Sequence, residues 1–187
     1  MVLLFDELHR VLHPAGSLWL HCDDTMGAYL RMSLDSVFGH ANALGGIIWR
    51  RTNSHNHRTR GFGRVHDSIF VYGRSRVTRW RLWRTKHEFV IGDPCCGSVH
   101  VEGYSEFLLN PTSKERIGYP TQKPVALLEQ IIAAGSMPGD LVVDPTCGSG
   151  TTIVAARNLG RNSIGIDASN DACGIARRRV AKLMEAA

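Results

Sequence analysis

Long apolar runs are missing from this sequence. Nothing in its 187 residues approaches the ~20 consecutive apolar residues of a membrane-spanning helix. The opening MVLLFDELHR has no basic flank ahead of its apolar residues and no small-residue cleavage site, so it does not read as a secretory signal. Cysteine is scarce and odd in number. Five, without framework spacing, point to reduced thiols and a cytoplasmic protein. Acids fall short of bases, 17 against 22 Lys and Arg, for a net charge of +5. Apolar residues are present in ordinary amount, 43%, enough for one core, and the length reads most simply as one domain over 1–187.

The positive charge is unevenly placed. Between Arg50 and Lys86 there are eleven Lys or Arg and one acid, Asp67, which leaves the rest of the chain net acidic. Ten of the eleven are arginine, the side chain suited to planar, bidentate anion contacts. A charge run is most simply a solvated face. This one is interleaved with Phe62, Trp80, Trp83 and the histidines His55, His57 and His66. Cations mixed with stacking rings suit a polyanion that carries bases, a nucleic acid.

Periodicity divides the chain into elements. Residues 3–12 place Leu4, Leu8, Val11 and Leu12 on one helical face, and His13-Pro14-Ala15-Gly16 ends that helix. SLWLHC (17–22) reads as a short buried strand. Residues 25–38 read as a helix capped by Thr25, with Asp23-Asp24 also placed to cap it. GGIIWRR (45–51) and DSIFVYG (67–73) read as strands able to form a hairpin. Residues 74–119 show no periodicity and read as an irregular insert. The last third is regular. A helix over 124–135 has Pro124 in its first turn and Gly135 as its stop. The strand LVVD, a helix closed by Gly160, the strand NSIGID and a helix over 170–185 follow. Alternation at this spacing implies βαβ units and a doubly wound α/β sheet.

LVVDPTCGSGTT (141–152) marks the ligand end of that sheet. Gly148 and Gly150 have no Cβ, so a ligand can approach the backbone closely. The next strand ends in Asp167, placed to accept hydrogen bonds from ribose hydroxyls. A phosphate-binding loop needs Lys after its glycines, and Thr151 stands there instead. A dinucleotide fingerprint needs a third glycine, and Ile153 holds that place. The nucleoside ligand that remains is S-adenosylmethionine, which carries no phosphate. Upstream, GYPTQKP (118–124) most simply starts a helix, yet Gln122 and Lys123 are polar groups where a carboxylate tail could be held.

SKERIGYPTQKPVALLEQII (113–132), GDLVVDPTCGSGTT (139–152) and SIGID (163–167) together resemble the permuted, beta-class amino-methyltransferases of DNA. RVLHPAGSLWLHCDD, GGIIWRR and HDSIFVYGRS resemble the same family in the N-terminal half, leaving 75–110 poorly matched. The resemblance implies a Rossmann-like fold and methyl transfer from S-adenosylmethionine to the exocyclic amino group of adenine or cytosine in double-stranded DNA. It implies a target-side half over 1–73, DNA-recognition loops within 74–119 and a cofactor half over 120–187. Asp144, Pro145, Cys147, Gly148 and Gly150 would line the cofactor pocket, Asp167 would hold the ribose, and Thr121 and Lys123 would contact the methionine end. Cys147 would pack and not act as a nucleophile. Arg50, Arg51, Arg58, Arg60 and Arg64 would grip phosphates. A homodimer and a cognate restriction endonuclease system are the further partners to test.

The family's catalytic Asp/Asn/Ser-Pro-Pro-aromatic tetrapeptide does not occur in the sequence. Asp93-Pro94 and Asp144-Pro145 are the only Asp-Pro pairs, and neither continues as Pro-aromatic. No catalytic residue is therefore assigned. The expectation is a fold incomplete at its N-terminus, with the edge of the LVVD strand unpaired and cofactor-site residues present without competent methyl transfer. Asp93-Pro-Cys-Cys-Gly-Ser98 echoes the 144–149 turn but has no strand before it and no second glycine, so chance is the better reading. Cys95, Cys96 and His100 lack metal-ligand spacing, and no metal is expected.

Overall fold

A computed structural model describes residues 2–50, 66–79 and 113–185. The chain forms two compact units, Met1–Trp80 and Arg81–Ala187. No helix among the described residues is long and apolar enough to cross a membrane.

The first unit contains α1 (Val2–Val11), β1 (Ser17–Asp23), α2 (Gly27–Phe38), a 3-10 turn (His40–Asn42), β2 (Ala43–Arg50) and β3 (His66–Gly73). Its sheet has the order β1-β3-β2, and β3 pairs antiparallel on both sides. The expected hairpin of the second and third strands is present, with a register shift between Ala43 and Gly45. The β-branched and aromatic run of β3 suits this central place, and Ile69, Val71 and Tyr72 are at most 2% exposed.

Phe5, Leu34, Phe38 and Tyr72 form the core, with Leu8, Leu12, Leu18 and Leu20 packed around them. The face of α1 that packs is therefore Phe5-Leu8-Leu12. The Leu4 and Val11 of the expected stripe are exposed. The stripe keeps Leu8 and Leu12 and turns toward Phe5, because burying the large Phe5 ring removes more apolar area from water than burying Leu4 does. Tyr72 keeps its polar handle satisfied by donating to Asp35 Oδ1 at 2.5 Å. Burial, reinforced by the Asp35 carboxylate, pushes the Tyr72 phenol well above its usual value.

α2 starts two residues later than the sequence suggests. Its cap position is Met26, which makes no side-chain cap bond. Asp23 holds the turn that leads into the helix, its Oδ1 accepting from the Thr25 N–H at 3.0 Å and the Met26 N–H at 3.4 Å. Part of the expected irregular insert falls among the described residues. Residues 74–79 lie against the His13–Gly16 turn, with Arg74 N–H on the Gly16 carbonyl at 3.0 Å and Arg79 N–H on the Ala15 carbonyl at 2.9 Å.

The second unit contains α3 (Val125–Gly135), β4 (Leu141–Asp144), α4 (Thr151–Asn158), β5 (Asn162–Gly165) and α5 (Asn170–Glu185). Pro124 caps α3 from outside, and Gly135 is its last residue. β4 and β5 run parallel with α4 as the crossover, the βαβ unit that the alternation predicts. Ile132, Ala155 and Ala156 form the core on one face of the pair, joined by Val142. The other face carries Leu141, Val143 and Ile164, each more than 40% exposed. Among the described residues β5 is the one ladder partner of β4.

Leu34 is fully buried and Leu3 is 82% exposed. Leu34→Ala should lower the unfolding free energy by about 2–5 kcal/mol in chemical denaturation. Leu3→Ala should change it by less than about 0.5 kcal/mol. Equal effects would refute this placement of the core.

Candidate functional site

The site lies where β4 stops. Asp144 turns the chain with its own carboxylate: Oδ1 accepts from the Thr146 N–H at 3.0 Å and Oδ2 from the Thr152 hydroxyl at 2.6 Å. Pro145 follows in the turn. Two backbone bonds carry the pairing past the strand ends, Ile166 N–H to the Asp144 carbonyl and Cys147 N–H to the Ile166 carbonyl, each 2.8 Å. They bring the end of β5 against the glycine turn.

Gly148 and Gly150 both adopt left-handed backbone, with φ of 49° and 74°. Each is also closed on its Cβ side. A Cβ on Gly148 would stand 3.1 Å from the Tyr119 ring, and one on Gly150 would stand 2.8 Å from the Ala176 Cβ of α5. The turn is held between the GYPTQKP segment and α5, with hydrogen atoms alone filling the gap. Gly150 also ends the turn as the cap of α4, with no side-chain cap bond on the helix's first N–H groups.

Asp167 lies beside this turn. Its Oδ2 accepts from the Gly148 N–H and its Oδ1 from the Ser169 N–H, each at 2.9 Å. The Ser169 bond and then the Gly148 bond hold its carboxyl below the usual carboxylate value. An ionised carboxylate offers about four acceptor sites. Two are used here, which leaves capacity for a diol. Cys147 is buried, 7% exposed, and packs toward Gly165. Burial, then the nearby Asp144 and Asp167, push its thiol up, so the neutral form is kept.

Asp144, Pro145, Cys147, Gly148, Gly150 and Asp167 thus share one turn. Tyr119 brings the segment of Thr121 and Lys123 beside it. Thr121 is exposed, and the Lys123 ammonium donates to the Thr121 carbonyl at 3.2 Å. Gln122 is a correction. Its side chain is buried and engaged within its own loop, Nε2 on the Glu115 carbonyl at 2.8 Å and Oε1 accepting from the Ile117 N–H at 3.0 Å. It braces the segment and does not face a ligand. Arg50 ends β2 opposite His66. Arg51, Arg58, Arg60 and Arg64 lie outside the described residues, as do Cys95, Cys96 and His100.

Sequence reasoning missed Tyr119, Glu115 and Arg179. Arg179 stands in a run of three arginines, and charge alone does not single out the buried one. Helical spacing does: 172, 176 and 179 share a face, and Ala172 and Ala176 are buried.

Gly150→Ala should destabilise the chain more than Gly160→Ala. Both residues have positive φ, so both variants meet left-handed strain of about 1–2 kcal/mol. Only at Gly150 does the added methyl collide with Ala176, since nothing lies within 4 Å of it at Gly160. Thermal melts compare the two directly. Asp167 sets an acid dependence. Its folded value is lowered, so its stabilisation is complete above an ordinary carboxylate value of ~4 and is lost as pH falls through the folded value. Asp167→Asn should flatten that part of the stability–pH curve.

The geometry has known counterparts. The family model described as DNA methylase, for N6 and N4 methyltransferases, matches residues 1–178. Type II methyltransferase M.HpaI of Haemophilus parainfluenzae is 30% identical over 182 residues, covering 94% of this chain and 56% of the relative. Type II methyltransferase M2.DpnII of Streptococcus pneumoniae is 33% identical over 176 residues, 91% of this chain and 62% of the relative. The chain therefore spans less than two thirds of these relatives. Among solved structures, the M1.HpyAVI–SAM complex aligns with a TM-score of 0.73 and 24% identity, over 96% of this chain and 81% of that one. The cytosine-N4-specific PvuII DNA methyltransferase aligns with a TM-score of 0.67 and 17% identity, over 94% and 67%. Both share the Rossmann-like fold of this chain. With a family model matched along nearly all of its length, the chain belongs to the DNA methylase family.

Proposed function

We propose that the chain binds S-adenosylmethionine at the 144–152 turn and serves methyl transfer to the exocyclic amino group of adenine or cytosine in double-stranded DNA. The observation that carries this is the glycine turn closed by Tyr119 and Ala176, with Asp167 bonded to Gly148. It is a seat lined by backbone, with an acid and no cation of the phosphate-binding kind. Such a seat fits a nucleoside without phosphate. A Cβ at Gly148 would press on the Tyr119 ring and displace the segment that carries Thr121 and Lys123, and Asp167 accepts only two bonds from the turn and so keeps acceptor capacity for a ribose diol, so the residues present fit the cofactor. The fold shared with the M1.HpyAVI–SAM complex supports the same ligand.

In this reading the cofactor supplies an electrophilic methyl on its sulfonium. Gly148 and Gly150 let Tyr119 and α5 close on the turn that seats the ligand, and Asp167 accepts from the ribose hydroxyls while still holding the turn. Thr121 and Lys123 serve the methionine end. Cys147 stays neutral and fills the floor. The arginine-rich stretch, Arg50, Arg51, Arg58, Arg60 and Arg64 included, meets DNA phosphates. Both relatives are type II methyltransferases, so a restriction endonuclease of the same specificity is a partner to look for; a homodimer is a separate expectation.

One observation favours a second reading. The sequence contains no Asp/Asn/Ser-Pro-Pro-aromatic tetrapeptide to hold the target amino group. A chain that binds cofactor and DNA without transferring a methyl group is the alternative.

Calorimetry with S-adenosylmethionine tests the shared part of both readings. The chain should bind it, and Asp167→Asn should weaken binding by roughly tenfold, the loss of a charge-assisted bond. Absence of binding would sink both. Incubation with DNA and a methyl-labelled cofactor then separates them: label in DNA supports the transferase, and binding without label supports the binder. On the DNA side, neutralising Arg58, Arg60 and Arg64 together should weaken binding and flatten the salt dependence, by about 0.9 in log–log slope for each phosphate no longer neutralised. An unchanged slope would remove these arginines from the interface.

A further inference from the structure

Arg179 lies on α5 with its side chain 11% exposed. Its guanidinium joins segments far apart in sequence. Nη1 donates to the Thr151 hydroxyl at 2.8 Å and to the Ser149 carbonyl at 3.4 Å. Nη2 meets Glu115 Oε1 at 3.3 Å, as hydrogen bond and ion pair. The same carboxylate oxygen accepts from the N–H of Val125, the first residue of α3, at 2.9 Å. The Ser149 and Thr151 hydroxyls are buried and 3.1 Å apart, which extends the chain of bonds into the glycine turn. One planar group therefore spans the turn, α5 and the 115–125 segment. A buried guanidinium is costly when its donors lose their partners, so neither segment can shift without a penalty. An ammonium lacks the fork needed to reach both sides at once.

We propose that Arg179 is a positioning residue that fixes the separation between the glycine turn and the 115–123 segment, so that the nucleoside end and the amino-acid end of one ligand are held at a set distance. This rests on the reading of the turn as the seat of S-adenosylmethionine. Two segments held at a set distance favour a ligand that bridges them, because less ordering remains to be done on binding. A ligand fragment that meets only the turn gains little from that restraint.

The test uses the full chain, Arg179→Lys and Arg179→Met, with amide hydrogen exchange and calorimetry. In Arg179→Met the amides of Ile117, Gln122 and Val125 should exchange faster while Val142 and Ile164 in the β4–β5 ladder stay protected. Affinity for S-adenosylmethionine should fall by roughly tenfold and that for adenosine by less than about twofold. Arg179→Lys retains the charge but reaches one side only, and its effect should lie between. Unchanged exchange at Val125 in Arg179→Met would overturn the proposal whatever the ligands do. Equal losses for both ligands with uniformly faster exchange would also overturn it, since that pattern marks a general stability role. If the unaltered chain binds neither ligand while exchange at 117–125 still follows Arg179, the cofactor reading fails and the coupling between the two segments stands.

Discussion

At Gly148 and Gly150 the backbone passes between an aromatic ring and a helix with space for hydrogen atoms alone. Most of the second unit follows from that approach. Tyr119 can close over the turn only because Gly148 has no side chain, and α5 can reach it only because Gly150 has none and Ala176 is small. The two left-handed conformations then lead the turn into α4. A methyl group at either position would push apart the elements that make the site.

Electrostatics reinforces that geometry. Asp144 and Asp167 stand at the ends of neighbouring strands, and each uses its carboxylate to accept from the backbone or hydroxyls of the turn. Burial, and then the two acids nearby, keep Cys147 neutral, so the floor of the site is inert. Arg179 is the buried cation of this arrangement, balanced by Glu115 from the segment that also carries Tyr119. The result is a turn whose shape is set before any ligand arrives, which is what a site needs if binding is not to bear the cost of ordering it.

Much of this was legible from residues alone. The bounds of β4 and α5 follow from composition and turn residues, and the hairpin of β2 and β3 from two short β-rich runs. Departures from that reading have local causes. The α1 stripe turns from Leu4 toward Phe5 because the larger ring outweighs Leu4, and periodicity does not weigh side-chain size. Thr25 does not cap α2 because its hydroxyl donates to Asp23 Oδ2 in the turn that ends β1, and preference for a cap residue does not fix which partner the backbone gives it. Gln122 looks like a ligand group in the sequence, but a loop that bends at Gly118 turns its amide onto Glu115 and Ile117.

The sequence by itself determined the βαβ order, the place of the glycine turn and the acid at the end of the next strand. These are local matters, set by the φ freedom of glycine and the spacing of apolar residues. Only the tertiary structure decided that Tyr119 and Ala176 close on the two glycines, that Asp167 braces the turn it borders, and that Arg179 reaches Glu115. Those contacts join residues about 20 to 65 positions apart, and a chain of letters does not say which distant side chain will occupy a gap the width of a hydrogen atom.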